Sequence, residues 1–323
     1  MNLNVFRRDM PIGLDVQHGD EKRPIFYGHA ATGSAFIIAA IFWMIRFSWN
    51  VKDHNDGDDD DDNDDVTNRK RHHGIVVFLR KVPFEGCYWI TTGLFALLQI
   101  FSVPYFRLNI IDEDGEFSVD SLQGWQHVAL GLPFAIHGGT RILAGTCYSS
   151  LKCWVEPTGI IACGLFSLIS FLHGYARDPL DAHIHFILGS VTLSTVLFYT
   201  AEYFSHDSWN KKRWFFPKTF SMLLQGTWMF QAAFILDPQN GVTWDRDSFV
   251  NVMGTSTIFV GHIIIDMSIL LFIYLLVKLA FKLAEHFSSI DYWKFSADER
   301  VKASTLRLLN YPQGTIPGPL TTS

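Results

Sequence analysis

Seven stretches of about 20 mostly apolar residues recur along the chain, and no other feature constrains its fold as much. In hydrocarbon no water satisfies the backbone, so each stretch has to close its own hydrogen bonds as a helix. The runs fall at 25–46, 84–103, 122–146, 157–175, 180–204, 217–237 and 249–281. They predict a polytopic, all-α membrane protein, a seven-transmembrane-helix bundle. The last run is long enough to continue past the bilayer. Asp178 and Pro179 part the fourth run from the fifth, and Pro157 and Pro217 read as first-turn residues, where proline is tolerated.

Charge then assigns the two faces. Only 18% of residues are charged, against about 25% in soluble domains. The formal charge of −6 is a local property, because eight aspartates lie between Asp56 and Asp65 and the balance without them is +2. No basic stripe of the kind that tracks nucleic acid is present, so the expected partner is the lipid bilayer and not nucleic acid. Basic residues gather in alternate connections: Lys52, Arg69, Lys70, Arg71, Arg80 and Lys81, then Lys152, then Lys211, Lys212 and Arg213. The tail adds Lys282, Lys294, Arg300, Lys302 and Arg307. By the positive-inside rule that side is cytoplasmic and the N-terminus is not.

Residues 1–24 are polar and the first run exceeds the core of a secretory signal, so it reads as an uncleaved helix. The expected plan is a non-cytoplasmic segment 1–24, a transmembrane domain 25–286 holding a solvated acidic cytoplasmic loop at 48–82, and a flexible cytoplasmic tail 287–323. Cys87, Cys147 and Cys153 fall at cytoplasmic helix ends and Cys163 in an inner half-span, so no outer disulfide is expected. The location is an integral one, in the plasma membrane or an endomembrane.

Ionisable groups inside spans are costly and point to partners or function. Alternating helix direction brings His29, His127, His173 and His185 into one outer layer. Asp181 and His185 are four residues apart, on one helical face, while His183 points elsewhere. His173, Asp181 and His185, with His29 or His127, form a candidate zinc-ligand set, since zinc takes three or four His or carboxylate ligands. Gln225, Trp228 and Gln231 add uncharged hydrogen-bonding groups from the sixth span. Deeper in the membrane lie His137 and the four-apart pair His262 and Asp266, read as interhelical glue. Glu202 is expected to meet the Lys211 to Arg213 cluster or headgroup water.

Three readings follow from these residues. The first is a structural, ligand-binding or lipid-binding protein with a His/Asp-lined polar site in the outer half of the bundle. The second is a zinc-dependent intramembrane hydrolase acting on a lipid amide or ester, with His173, Asp181 and His185 on the metal. The third is a proton-coupled transporter or electron carrier built on His137, His262 and Asp266. Haem is disfavoured because the histidines crowd one leaflet, His137 with His262 being the single mid-depth pair.

Several segments carry a resemblance. They are Gly28-His-Ala30 with Gly33 and Phe36, then Trp125-Gln-His127, and Phe171-Leu-His173 leading to Pro179-Leu-Asp-Ala-His-Ile-His185. Leu224-Gln-Gly-Thr-Trp228, followed by Gln231 and Phe234, completes the set. Over residues 26 to 275 the chain resembles the transmembrane protein 45 family of multi-pass membrane proteins. The aspartate-rich insert and Gly261 before His262 depart from that pattern. The resemblance implies fold and membrane location and brings no reaction.

Overall fold

The apolar runs are helical in the computed structural model, which describes residues 23–50, 84–98, 110, 111, 115, 119–175, 177–205, 207–239 and 243–309. Seven long helices stand among them: α1 Arg23–Asn50, α2 Phe84–Leu98, α3 Val119–Thr146, α4 Lys152–Gly174, α5 Pro179–Phe204, α6 Ser208–Leu236 and α7 Phe249–Leu309. A 3-10 turn at Ser149–Leu151 joins α3 to α4. Four stretches are by length and composition apolar enough to cross a membrane: Phe26–Ser48, Ser149–Gly174, Pro179–Phe204 and Phe249–Ala284. The described part of α2 has 15 residues, and α3 and α6 carry Arg141 and Lys218 within them.

Polarity is distributed inside out. On α4, Ile161, Leu165, Leu168 and Leu172 form an exposed apolar stripe at helical spacing, while Cys163, Ser167 and Ser170 on the other side are buried. On α7, Ile264, Leu271, Phe272 and Leu275 are exposed and Asp266 is 1% exposed. Water would penalise that arrangement and acyl chains favour it, so the molecule is an all-α integral membrane protein.

α2 packs antiparallel to α3 and α1 to α6, and glycines set the register of both pairs. On α2 and α3, Gly86 meets Gly138 and Gly93 meets Gly131, one heptad apart on each helix. A Cβ on Gly138 would lie 2.5 Å from the Gly86 carbonyl oxygen and 2.6 Å from the Ile90 nitrogen. Gly33 and Gly226 make the same backbone approach between α1 and α6, where Phe26 on Phe234 and Phe47 on Phe215 continue the antiparallel register. In a bilayer, van der Waals packing of this kind takes over from the hydrophobic effect as the force between helices. Gly138→Val is therefore expected to cost about 1–3 kcal/mol or more by forcing α2 and α3 apart. Gly139→Val faces open space and is expected to leave the unfolding midpoint in detergent unchanged. Equal midpoints for the two variants would refute the contact.

Some boundaries differ from expectation. α6 begins at Ser208, so Pro217 stands well inside the helix, and α4 begins at Lys152, which places Pro157 beyond its first turn. α7 continues to Leu309, past residue 287 where a flexible tail was expected, because residues 285–309 contain neither proline nor glycine. The N-terminal segment through residue 22, the acidic loop over 51–83 and residues 310–323 lie outside the described residues.

Candidate functional site

The near end of the bundle, where α1 begins, gathers the expected histidines. Asp178 caps α5 by accepting from the Asp181 backbone N–H at 2.9 Å, and Pro179 fixes the first helical residue. This cap aims Asp181 inward at 2% exposure. Arg177 donates from Nη1 to Asp181 Oδ2 at 2.9 Å and from Nε to the His173 carbonyl at 3.2 Å. One helical turn on, His185 Nδ1 lies 2.6 Å from Asp181 Oδ1 and 3.0 Å from the Asp181 carbonyl oxygen. The His185 ring is 4.8 Å from that of His173 and 5.8 Å from that of His29, centroid to centroid. His173 Nδ1 donates to Gln126 Oε1 at 2.6 Å. Side chains of α1, α3, α4 and α5 thus meet in one layer.

Three partners in this layer had no place in the expectation, Arg177 being the first. Gln126, next to the expected His127, is the α3 side chain that reaches His173; His127 itself is half-buried on the same helix. Arg246, from the connection between α6 and α7, donates to Asp178 Oδ2 at 3.0 Å and to the Leu236 carbonyl at 3.1 Å. Its own carbonyl accepts from the Leu180 N–H. The ends of α4, α5 and α6 are consequently tied together through residues 177–181 and 246.

The zinc expectation does not fit this geometry. Zinc ligands converge at about 2.0–2.2 Å on one point, whereas here the Asp181 carboxylate is taken by the Arg177 guanidinium at 2.9 Å. Among the described residues, no group of three or more His, Cys, Asp or Glu side chains is disposed to hold a metal ion.

The deeper groups separate from one another. Asp266 Oδ2 accepts from Thr227 on α6 at 2.6 Å, in place of a bond to His262, and His262 packs edge-on against Trp228. Trp228 donates its indole N–H to the Ile184 carbonyl, and His183 pairs with Ser256 on α7, away from Asp181 as its position on α5 requires. These bonds tie α5, α6 and α7 together. His137 sits on α3 with Nδ1 3.1 Å from Thr158 Oγ1. α3 packs on α2 and α4, and α7 packs on α1, α5 and α6, so His137 and His262 do not form the facing pair that haem ligation needs. Gln231 is half-buried on α6, and Gln225 is fully buried there.

The far end holds a charged network that the histidine reading missed. Glu85 on α2 accepts from Trp43 Nε1 at 2.9 Å, Arg46 Nη1 at 3.1 Å and Arg141 Nη2 at 2.6 Å. Arg141 also lies 3.7 Å from Glu156 on α4, which accepts from the Tyr199 hydroxyl at 2.6 Å. Lys218 pairs with Glu202 and stands over the rings of Trp43, Tyr199 and Phe215 at 4.7, 4.6 and 4.9 Å. Glu202 therefore meets Lys218 inside the bundle and not the Lys211 to Arg213 cluster. The signal was available: Arg141 is a guanidinium inside an expected span and demands a carboxylate.

Comparison with known proteins agrees with the membrane reading. A model of a family of unknown function, DUF716, matches residues 158–275, from α4 into α7. Transmembrane epididymal protein 1 of Rattus norvegicus is 26% identical over 179 residues, 52% of this chain and 57% of that protein. The human protein of the same name is 26% identical over 153 residues, 46% of this chain and 55% of that protein. Transmembrane epididymal protein 1A of Mus musculus is 26% identical over 153 residues, 46% and 49%. The chain spans about half the length of the curated relatives it matches. The resemblance read from the motifs is thus met at the level of this family model and of transmembrane relatives.

Proposed function

We propose that the chain is a seven-span protein of the transmembrane protein 45 type, with its N-terminus non-cytoplasmic, whose outer His/Asp/Arg layer clamps the helix ends and frames a site for a small polar ligand or lipid headgroup. The observation that carries this reading is the commitment of Asp181: one oxygen to Arg177, the other beside His185. A carboxylate held by a guanidinium is suited to fixing helix ends and to presenting a polar surface, and poorly suited to holding a metal that activates water. The seven-span count rests on the seven antiparallel helices and on the spread of Lys and Arg over alternate connections.

The hydrolase reading makes the opposite demand on the same residues. Protein purified in detergent is expected to carry well under one zinc per chain and to keep its unfolding midpoint after chelation. One firmly held zinc per chain, lost in His173→Ala, would overturn the clamp.

A further inference from the structure

We propose that the interface of α4, α5 and α6 is a hydrated path for protons running the length of the bundle, with Gln225 at its narrowest step. The proposal goes beyond the clamp and does not depend on which end faces the cytoplasm.

The buried face of α5 is polar from end to end. Asp181, His185, Thr192, Thr195, Tyr199 and Glu202 follow one another at helical spacing on a single face, and all but the half-buried Glu202 are at most 5% exposed. From Asp181 to Glu202 the stripe rises about 30 Å, the thickness of the hydrocarbon core. The facing side of α4 carries Glu156, Gly159, Cys163, Ser167, Ser170 and His173 in the same periodicity. The two stripes touch along their length: Tyr199 on Glu156, Ser167 on the Gly189 carbonyl at 2.8 Å, and His185 on His173. Ser and Thr are common at membrane helix seams, but here titratable groups carry the row on to both ends, Asp181, His185 and His173 at one and Tyr199, Glu156 and Glu202 at the other.

The α5 row has one gap, where Leu188 separates His185 from Thr192. α6 supplies the missing group. Trp228 beside Ile184 at one end, and Lys218 beside Tyr199 and Glu202 at the other, fix the antiparallel register. That register sets Gln225 level with the stretch from Leu188 to Thr195. Gln225 also shares a helical face with Lys218 and Met222, both of which point into the bundle. It is 0% exposed, and neither its amide nitrogen nor its amide oxygen has a partner among the described residues.

An unmet buried polar group costs about 1–3 kcal/mol, and a polar site of this kind is met by ordered water. A second unmet donor, Trp89 Nε1, borders the cavity that Met222 lines together with His137, Gly159, Cys163 and Tyr199. Water at these two places joins the His185 end of the row to the Tyr199 and Glu156 end.

Such a row conducts protons by hopping. Each ordered water accepts a proton on a lone pair and passes one of its own to the next water, while the row's hydroxyls accept from those waters and hold them in line; nothing is oxidised or reduced. Ser170, Thr192 and Thr195 donate to carbonyls of their own helices and keep lone pairs free to accept. A dehydrated metal cation would meet Arg177 at one mouth and Arg141 and Lys218 at the other.

The test places full-length protein in phosphatidylcholine–phosphatidylglycerol vesicles with a pH dye inside and a potassium diffusion potential set by valinomycin. Inward proton flux is expected about tenfold above that of protein-free vesicles, and Gln225→Leu is expected to bring it back near the protein-free rate. Thr192→Val is run beside it and decides the matter on the same terms if the leucine variant fails to fold. Wild-type flux equal to that of protein-free vesicles overturns the path, as does flux unchanged in the folded variants. A flux that disappears when external sodium is replaced by N-methylglucamine overturns it too, by showing that a metal cation is carried.

Discussion

Asp181→Ala is expected to destabilise the folded bundle by about 3 kcal/mol, the lower end of the range for breaking a buried ion pair. The lower end applies because Arg177 is 28% exposed and can turn towards water. Three interactions fail together: the pair with Arg177, the close approach to His185 and, through the slackened Arg177, the bond to the His173 carbonyl. Asp181→Asn keeps the shape and an acceptor and should cost roughly half as much. Arg177→Met on its own should cost less than Asp181→Ala, and the double variant no more than Asp181→Ala alone, since the pair is one interaction counted once. Equilibrium unfolding in mixed micelles measures all four proteins. Additive losses for the two single changes would show that Asp181 and Arg177 act separately, and the clamp would fall.

The sequence was most informative where physics leaves a segment one choice. An apolar run such as 180–204 has no stable state in lipid other than a helix, and the helix spans Pro179–Phe204. Asp181 and His185, four residues apart, had to share a face, and they do. Partners across helices were less legible, because they depend on rotation about each axis, and one residue along a helix turns a side chain by about 100°. That turn is why Gln126 and not His127 meets His173. Asp266 likewise meets Thr227 across the helices, although His262, four residues before it, shares its face. The far-end network was hidden for a different reason. Its members come from six helices, and every hydrogen bond and ion pair in it joins residues far apart in sequence.

At the far end, Glu85→Ala is expected to cost about 3–5 kcal/mol and to loosen α2 selectively. α2 packs extensively on α3 but touches α1 at few points. Those points are Glu85 with Trp43 and Arg46, Tyr88 donating to the Ala35 carbonyl, Trp89 against Phe36 and Trp43, and Phe84 against Phe42. Removing the carboxylate strips Arg141 of its 2.6 Å partner and leaves only the 3.7 Å contact with Glu156. A guanidinium with side-chain exposure of 24% inside a helix bundle is then held by half its charge partners. Arg46→Ala removes a pair whose arginine is 52% exposed and should cost no more than about 1 kcal/mol. Glu85→Ala combined with Arg141→Leu should recover much of the loss, because it removes the stranded charge along with its partner. Exposed Cys87, on α2 two residues after Glu85, reports independently: its backbone amide should exchange hydrogen faster in Glu85→Ala than in wild type. Unchanged exchange in α2, or a double variant weaker than Glu85→Ala alone, would mean that Glu85 does not join α2 to α1 and α3. The recovery expected of the double variant separates the two roles a buried ion pair can play. If apolar replacement restores stability, the pair serves to specify which helices meet, and the packing around Trp43 and Trp89 supplies the free energy.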